Sequence, residues 1–355
     1  MRRAILVFLS IAFGSYIQYG DIENISSYLV LLILPFFLIV FFRRSDFGNV
    51  SQSGIWLIFT LISFLCFSIA NNYLNGINPL SGVFWWFIFL LMLITDVSKS
   101  QIHISSKTFI FTAIVILSID TYYRFFISTK NLEYGFYAYK YGLIGVDSNF
   151  SGIFAMLIAI IYDQIFLREM PFSWKRNIIF ILIVVLLFST FSRAAIIGFI
   201  CYIFLYRISS KYKYAIGMFA IMFSIASLYK LDVFFFNGDE SGSSKFRLAV
   251  EYAAYFFNSS WDLILFGYGL GGLKVGDYNP HLLPLQVLTG YGTVGFILYY
   301  AFISCMLLRY NKAKFIIIPY LIVSMSVAPI GVGILIFTLY ILIRLDDDNC
   351  MLLCR

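Results

Sequence analysis

Apolar residues run along this chain in long blocks separated by short polar stretches. Blocks long enough to cross a bilayer lie near 4–19, 28–42, 55–70, 83–94, 109–127, 150–167, 177–191, 194–206, 215–228, 293–308, 315–327 and 331–343. That pattern predicts an all-α polytopic bundle of about twelve membrane helices in a single integral membrane domain, 1–355. Met1-Arg2-Arg3 precedes the first block as in a signal peptide, but no small-residue cleavage site follows, so the block is read as a retained helix. Two connections are long, 128–149 and 230–283. In the second, FRLAVEYAAYFF repeats apolar residues at helical spacing, which predicts a short amphipathic helix near 244–258, lying along the membrane or capping a cavity.

Charge gives the blocks a direction. Arg2/Arg3, Arg43/Arg44, Lys99/Lys107, Arg168/Lys175/Arg176, Arg207/Lys211/Lys213, Arg309/Lys312/Lys314 and Arg344/Arg355 fall on alternate connections, 17 of the 25 basic residues. The positive-inside rule then places both termini in the cytoplasm. The other eight, Arg124, Lys130, Lys140, Arg193, Lys230, Lys245, Arg247 and Lys274, gather at or near the outer face, around the two long loops.

Composition agrees: 61% hydrophobic and only 12% charged residues, far from a soluble domain. The net charge of +7 is dealt out between apolar runs rather than collected in a stripe, which argues against nucleic acid. Cys66, Cys201 and Cys305 sit in apolar runs and Cys350 and Cys354 in the tail, a pattern of reduced thiols rather than a disulfide framework.

Arg193 is the one charge in the apolar stretch 177–206. Segments 177–192 and 194–206 would span about 24 and about 20 Å as helices, each short of the roughly 30 Å hydrocarbon core. The Ser192-Arg193 turn is therefore expected below the outer surface, in a recessed, hydrated, cationic pocket. The hairpin 315–343, broken at 328–331, is equally short and is expected to line the same pocket.

Arg193 and Arg247 suit a diphosphate, because guanidinium offers forked donors and keeps its charge. Arg247 also has a plain alternative, an i,i+4 pair with Glu251. His281 stands where the long loop re-enters the membrane, with Asp277 as a rival base four residues earlier. The run GYGLGG contains Gly267 and Gly269 at dinucleotide-loop spacing without the acidic partner that motif needs. A tight turn bringing backbone N–H groups close to a ligand or a helix is the better account. The outward carboxylates are scattered, so neither metal nor cofactor is implied. Tyr252, Tyr255, Trp261 and Tyr278 could stack on sugars, but interfacial aromatics are expected anyway.

Four blocks together resemble the O-antigen ligase and polymerase family of bacterial envelope proteins. STFSRAAIIGF is similar to its Ser-Arg-small-small signature, and SKFRLAVEYAAYFFNSSWDLILFGYGLGG to its outer-loop arginine, amphipathic helix and Gly-Tyr-Gly turn. NPHLLPLQVLTGYGTVGFILYY resembles its proline-histidine segment, and GVDSNFSGIFAML, with Asn149, its Asp-x-Asn segment. The resemblance covers roughly 145–300 and implies a GT-C-like, inverting, metal-independent glycosyltransferase in the bacterial inner membrane, its site facing the periplasm.

Its implied partners are undecaprenyl-diphosphate-linked donor and acceptor oligosaccharides, membrane lipid, a chain-length regulator and a flippase. Carried over, Arg193 and Arg247 would hold the donor diphosphate and stabilise the leaving group, and His281 would orient or deprotonate the acceptor hydroxyl. Asp277, Gly267, Gly269 and Asn149 would be accessory. A polymerase is favoured over a ligase, because Leu282 follows His281 where the family commonly has Asn. A flippase would instead place polar groups at mid-membrane in two matching halves.

Overall fold

The computed structural model describes residues 2–15, 25–41, 52–93, 95, 97–127, 139, 142–143, 148–168, 172–207, 240–274, 282–324 and 332–346. These fold as helices: α1 Arg2–Gly14, α2 Ile25–Phe41, α3 Gln52–Leu74, α4 Phe84–Leu93, α5 Lys99–Tyr122, α6 Ser148–Tyr162 and α7 Trp174–Ser189. They continue as α8 Arg193–Arg207, α9 Glu240–Phe257, α10 Trp261–Phe266, α11 Leu283–Arg309, α12 Lys314–Val323 and α13 Gly333–Asp346. Single π-helical turns extend α5 (Tyr123–Ile127) and α6 (Asp163–Leu167).

Four helical stretches among the described residues are long and apolar enough to cross a membrane: Ile55–Leu74, Lys99–Ile127, Ser148–Leu167 and Leu283–Arg309. The expected block at 215–228 lies outside the described residues. Two boundaries differ from those read off hydropathy by ten residues. The helix expected from 109 begins at Lys99, where the Gln101 side chain accepts a hydrogen bond from the Ser98 N–H at 3.1 Å and caps an otherwise polar first turn. The helix expected from 293 begins at Leu283, with proline in its first turn, and is broken at Gly292, whose φ of 64° no helix contains.

The bundle is built around α6. Every side chain from Ser151 to Tyr162 is buried, and α5, α7, α8, α12 and α13 all pack on it. A helix apolar on all sides has to be enclosed, and this one is. The surrounding helices keep an apolar outer face as well: Trp56, Phe59, Ile181, Val185, Ile197 and Ile297 are each more than half exposed. Apolar residues on both the inner and the outer faces suit a bundle solvated by lipid.

Side-chain contacts fix helix directions. The Tyr206 ring meets Phe315 at 4.3 Å, and a Cβ added to Gly198 would lie 2.5 Å from Val323 Cγ2, so α8 and α12 run antiparallel. Ser10 Oγ pairs with Ser105 Oγ at 2.6 Å, while Gly14 packs on Phe109 and Thr112, so α1 and α5 run parallel. Followed through the bundle, these directions put Arg2, Lys99, Arg168, Arg207, Arg309 and Arg344 at one end and Arg193 at the other. Among the described residues Arg124 shares the Arg193 end, through its bond to Ser151 at the start of α6.

Candidate functional site

Arg193 is the first residue of α8, and its side chain is exposed. The break before it is tight. α7 ends at Ser189, Phe191 takes a φ of 54°, and the Thr190 and Phe191 N–H groups close the turn onto Leu187 O and Phe188 O. A positive φ costs a bulky residue of order 1 kcal/mol or more, so surrounding contacts have to hold this turn.

Those contacts are visible. The Ser192 hydroxyl donates to Asn149 Oδ1 at 3.0 Å and accepts the Ala195 N–H at 3.3 Å, capping α8 while tying it to the start of α6. Gly152, one turn into α6, leaves room for the turn: a Cβ there would lie 2.7 Å from Ser192 Oγ and 2.8 Å from Ala195 Cβ. Thr121 Oγ1 lies 3.0 Å from Ser189 Oγ, joining α5 to the same corner.

Beside this corner is a buried ion pair. The Arg124 Nε donates to Asp120 Oδ2 at 2.6 Å, and both side chains are about fully enclosed, at 0% and 1% exposure. Arg124 also donates to Ser151 Oγ on α6 and to Tyr139 O, and the Leu143 N–H donates to Asp120 Oδ1 at 2.6 Å. The pair therefore pins the described part of the first long connection, Tyr139 and Gly142 with Leu143, against α5 and α6.

Helix directions place other predicted elements at the same end. The Leu283 N–H that opens α11 donates to Ser324 O at the end of α12, at 2.9 Å. Since Gly198 faces Val323, Arg193 lies five residues, or about 7 Å of helix, beyond that level. Of the 315–343 hairpin expected to line the same pocket, α12 packs along α8, and its break at 328–331 is outside the described residues. His281 and Asp277 are also outside them.

Arg247 lies on α9, exposed, with Nε 3.7 Å from Glu251 Oε1, which is the plain i,i+4 pair. α9 packs on α10 and α11, whereas α8 packs on α6, α7 and α12, so the two arginines belong to different groups of helices. Gly267 meets a helix, α11, and Gly269 meets Asn75 and Ile77 just after α3. Both have positive φ, and the turn they make fills the break in α11: the Tyr268 N–H donates to Thr289 O at 2.9 Å, and a Cβ on Gly267 would lie 2.5 Å from Gly290 O.

The asparagines at the end of α3 carried no signal in the sequence, and they complete this joint. Asn71 Nδ2 donates to Gly290 O at 2.9 Å, and Asn72 Oδ1 accepts the Leu270 N–H at 2.9 Å. Asn72 Nδ2 in turn holds Pro79 O and Ser81 O. Carbonyls freed by the α11 break are thereby satisfied within protein.

Among the described residues no three His, Cys, Asp or Glu side chains come together to hold a metal ion. At the Arg193 end, α8 opens with an exposed arginine just after the Ser192 cap. A helix N-terminus carries partial positive charge, and an exposed guanidinium beside it adds to the positive character of this corner. No family model matches the chain, and no curated protein matches it either.

Proposed function

We propose that the protein is a GT-C-like membrane glycosyltransferase of the bacterial inner membrane, with about twelve spans and cytoplasmic termini, that polymerises undecaprenyl-diphosphate-linked repeat units of a surface polysaccharide. The observation that carries this reading is the placement of Arg193, exposed at the N-terminus of α8 in a turn fixed by Ser192 and Asn149. A diphosphate there would take forked hydrogen bonds from the guanidinium and further ones from α8 backbone N–H groups. As the glycosidic bond breaks, negative charge grows on the departing diphosphate, and fixed donors of this kind stabilise it.

Arg247 would add to the donor site only if α9 or the diphosphate bridges the two helix groups. His281, two residues before α11, is proposed to orient or deprotonate the acceptor hydroxyl. It precedes Leu283, whose backbone is anchored to α12 at the Arg193 end.

The test is a gel of surface polysaccharide from cells lacking the gene, with and without its return. Core carrying a single repeat unit supports a polymerase. Bare core with long lipid-linked polymer retained in the inner membrane would make the protein a ligase, and an unchanged pattern would sink both.

A further inference from the structure

The expected amphipathic helix of the second long loop exists as α9, and the chain beyond it takes an unexpected path. The Ser259 and Tyr268 hydroxyls hydrogen-bond to each other, closing the neck of a hairpin. From Ser259 the chain descends through α10. Its far turn is fixed by Thr293 Oγ1, which donates to Ile264 O at 3.0 Å, and by the Phe266 ring, 6.4 Å from that of Phe67. It then returns through Gly267, with the Tyr268 N–H on Thr289 O and the Leu270 N–H on Asn72 Oδ1, each contact nearer the Arg193 end than the last.

Depth follows from these partners. Phe67 lies seven residues before the end of α3, about 10 Å along the helix, and Thr293 ten residues into α11, about 15 Å. Both belong to stretches long and apolar enough to cross a membrane. The far turn thus sits well inside the span, on the order of a third to a half of a 30 Å hydrocarbon core.

We propose that residues 259–268 form a re-entrant hairpin whose tip contacts the acyl chains of the bilayer. Leu265 and Phe266 are 42% and 50% exposed at the tip, and Trp261 is 80% exposed above them. Segment 263–269 carries no charge. Ile62 on α3 and Ile297 on α11, about one helical turn deeper than the hairpin's partners Phe67 and Thr293, are exposed as well, which is why lipid is the occupant. The backbone of the turn meets the condition for non-helical chain at depth, since the Gly267 N–H bonds Leu263 O and the Tyr268 N–H bonds Thr289 O.

The charged groups mark the mouth. Asp262 is in the first turn of α10. Lys274 is exposed just past the return. Trp261 beside Asp262 then occupies the interface, where tryptophan is favoured. This inference does not rest on the reaction proposed above.

The experiment uses the full chain in lipid nanodiscs, open to reagents on both faces. Leu265→Cys and Lys274→Cys are treated with a charged, membrane-impermeant maleimide and with an uncharged, permeant one, each against the unsubstituted chain. Hydrocarbon excludes the charged reagent but admits the permeant one, and the thiolate fraction at a site cancels between the two, so the permeant-to-charged rate ratio at Leu265→Cys should exceed that at Lys274→Cys by at least about tenfold. The permeant reagent should reach both.

Equal rates with the charged reagent would overturn the proposal. Equal permeant-to-charged rate ratios at the two sites would also overturn it, by showing that lipid does not bathe the tip, as under a second copy of the chain. Native-sequence protein gives a second reading. The emission lost on Trp261→Phe should be quenched by brominated acyl chains, and quenching of that component by aqueous iodide instead would place the hairpin in water.

Discussion

Gly267 and Gly292 meet backbone against backbone, each with positive φ, so that the turn after α10 fits into the break in α11 with no side chain between them. A methyl group at either position would overlap the opposite main chain and also force an L-residue into the left-handed region. Gly267→Ala and Gly292→Ala should each cost at least about 2 kcal/mol. Gly76 has a similar φ of 69° but open space around it, so Gly76→Ala should cost only about 1 kcal/mol. Thermal unfolding in detergent compares the three, and equal losses would refute the role of the close approach.

The Asp120–Arg124 pair makes a different prediction. Removing one partner leaves a buried charge without compensation, so Arg124→Met or Asp120→Leu alone should destabilise by about 3–5 kcal/mol. Both changes together remove the charge problem, and the double variant should be more stable than either single one. A double variant as unstable as the sum of the two would mean that the bonds to Leu143 and Ser151 matter more than the pair.

Arg193→Ala should abolish the proposed transfer while leaving normal amounts of protein in the membrane, because its side chain is exposed. Arg193→Lys should fall between, keeping charge and losing the fork. Arg247→Ala removes only an exposed pair worth about 0–1 kcal/mol, so any loss of polysaccharide length from that variant would be functional. Wild-type product from Arg193→Ala would end the diphosphate assignment.

Asn149 is predicted to act through Ser192. Asn149→Ala should shorten product without altering protein level. Ser192→Ala should do the same and in addition cost about 1 kcal/mol of stability through the lost α8 cap. Both are read by the same polysaccharide gel and a melting curve, and full-length product from both would show that the turn holds itself.

Much of the bundle was legible because lipid imposes a simple code. The break between α7 and α8 could be read from Arg193 alone, and α6 from an unbroken apolar run. Polar helix ends were not legible that way: Lys99, Gln101 and Lys107 look like loop until the cap at Ser98 is seen. Asn71 and Asn72 escaped notice because their partners lie 219 and 198 residues away, and a hydrogen bond across such a distance leaves no periodicity in either segment. Gly267 was recognised as a turn, but whether that turn faced a ligand or a helix depended on Gly292, which reads as an ordinary helical glycine.

The enclosure of α6 also says something about biogenesis. Membrane helices enter the bilayer in order, yet α6 carries Gln164, whose partner Tyr202 arrives two helices later on α8, and Asp163, which shares Tyr202 with it and otherwise has Arg168, while one of the walls around α6, α13, is the last of the described helices. Until then Gln164 lacks its Tyr202 bond and Asp163 has Arg168, 3.2 Å away. The central helix must therefore be held by something other than its final neighbours for most of synthesis. A chain stopped before Gly333 should be cleared by membrane proteases rather than accumulate, which a pulse-chase of the truncated protein would reveal.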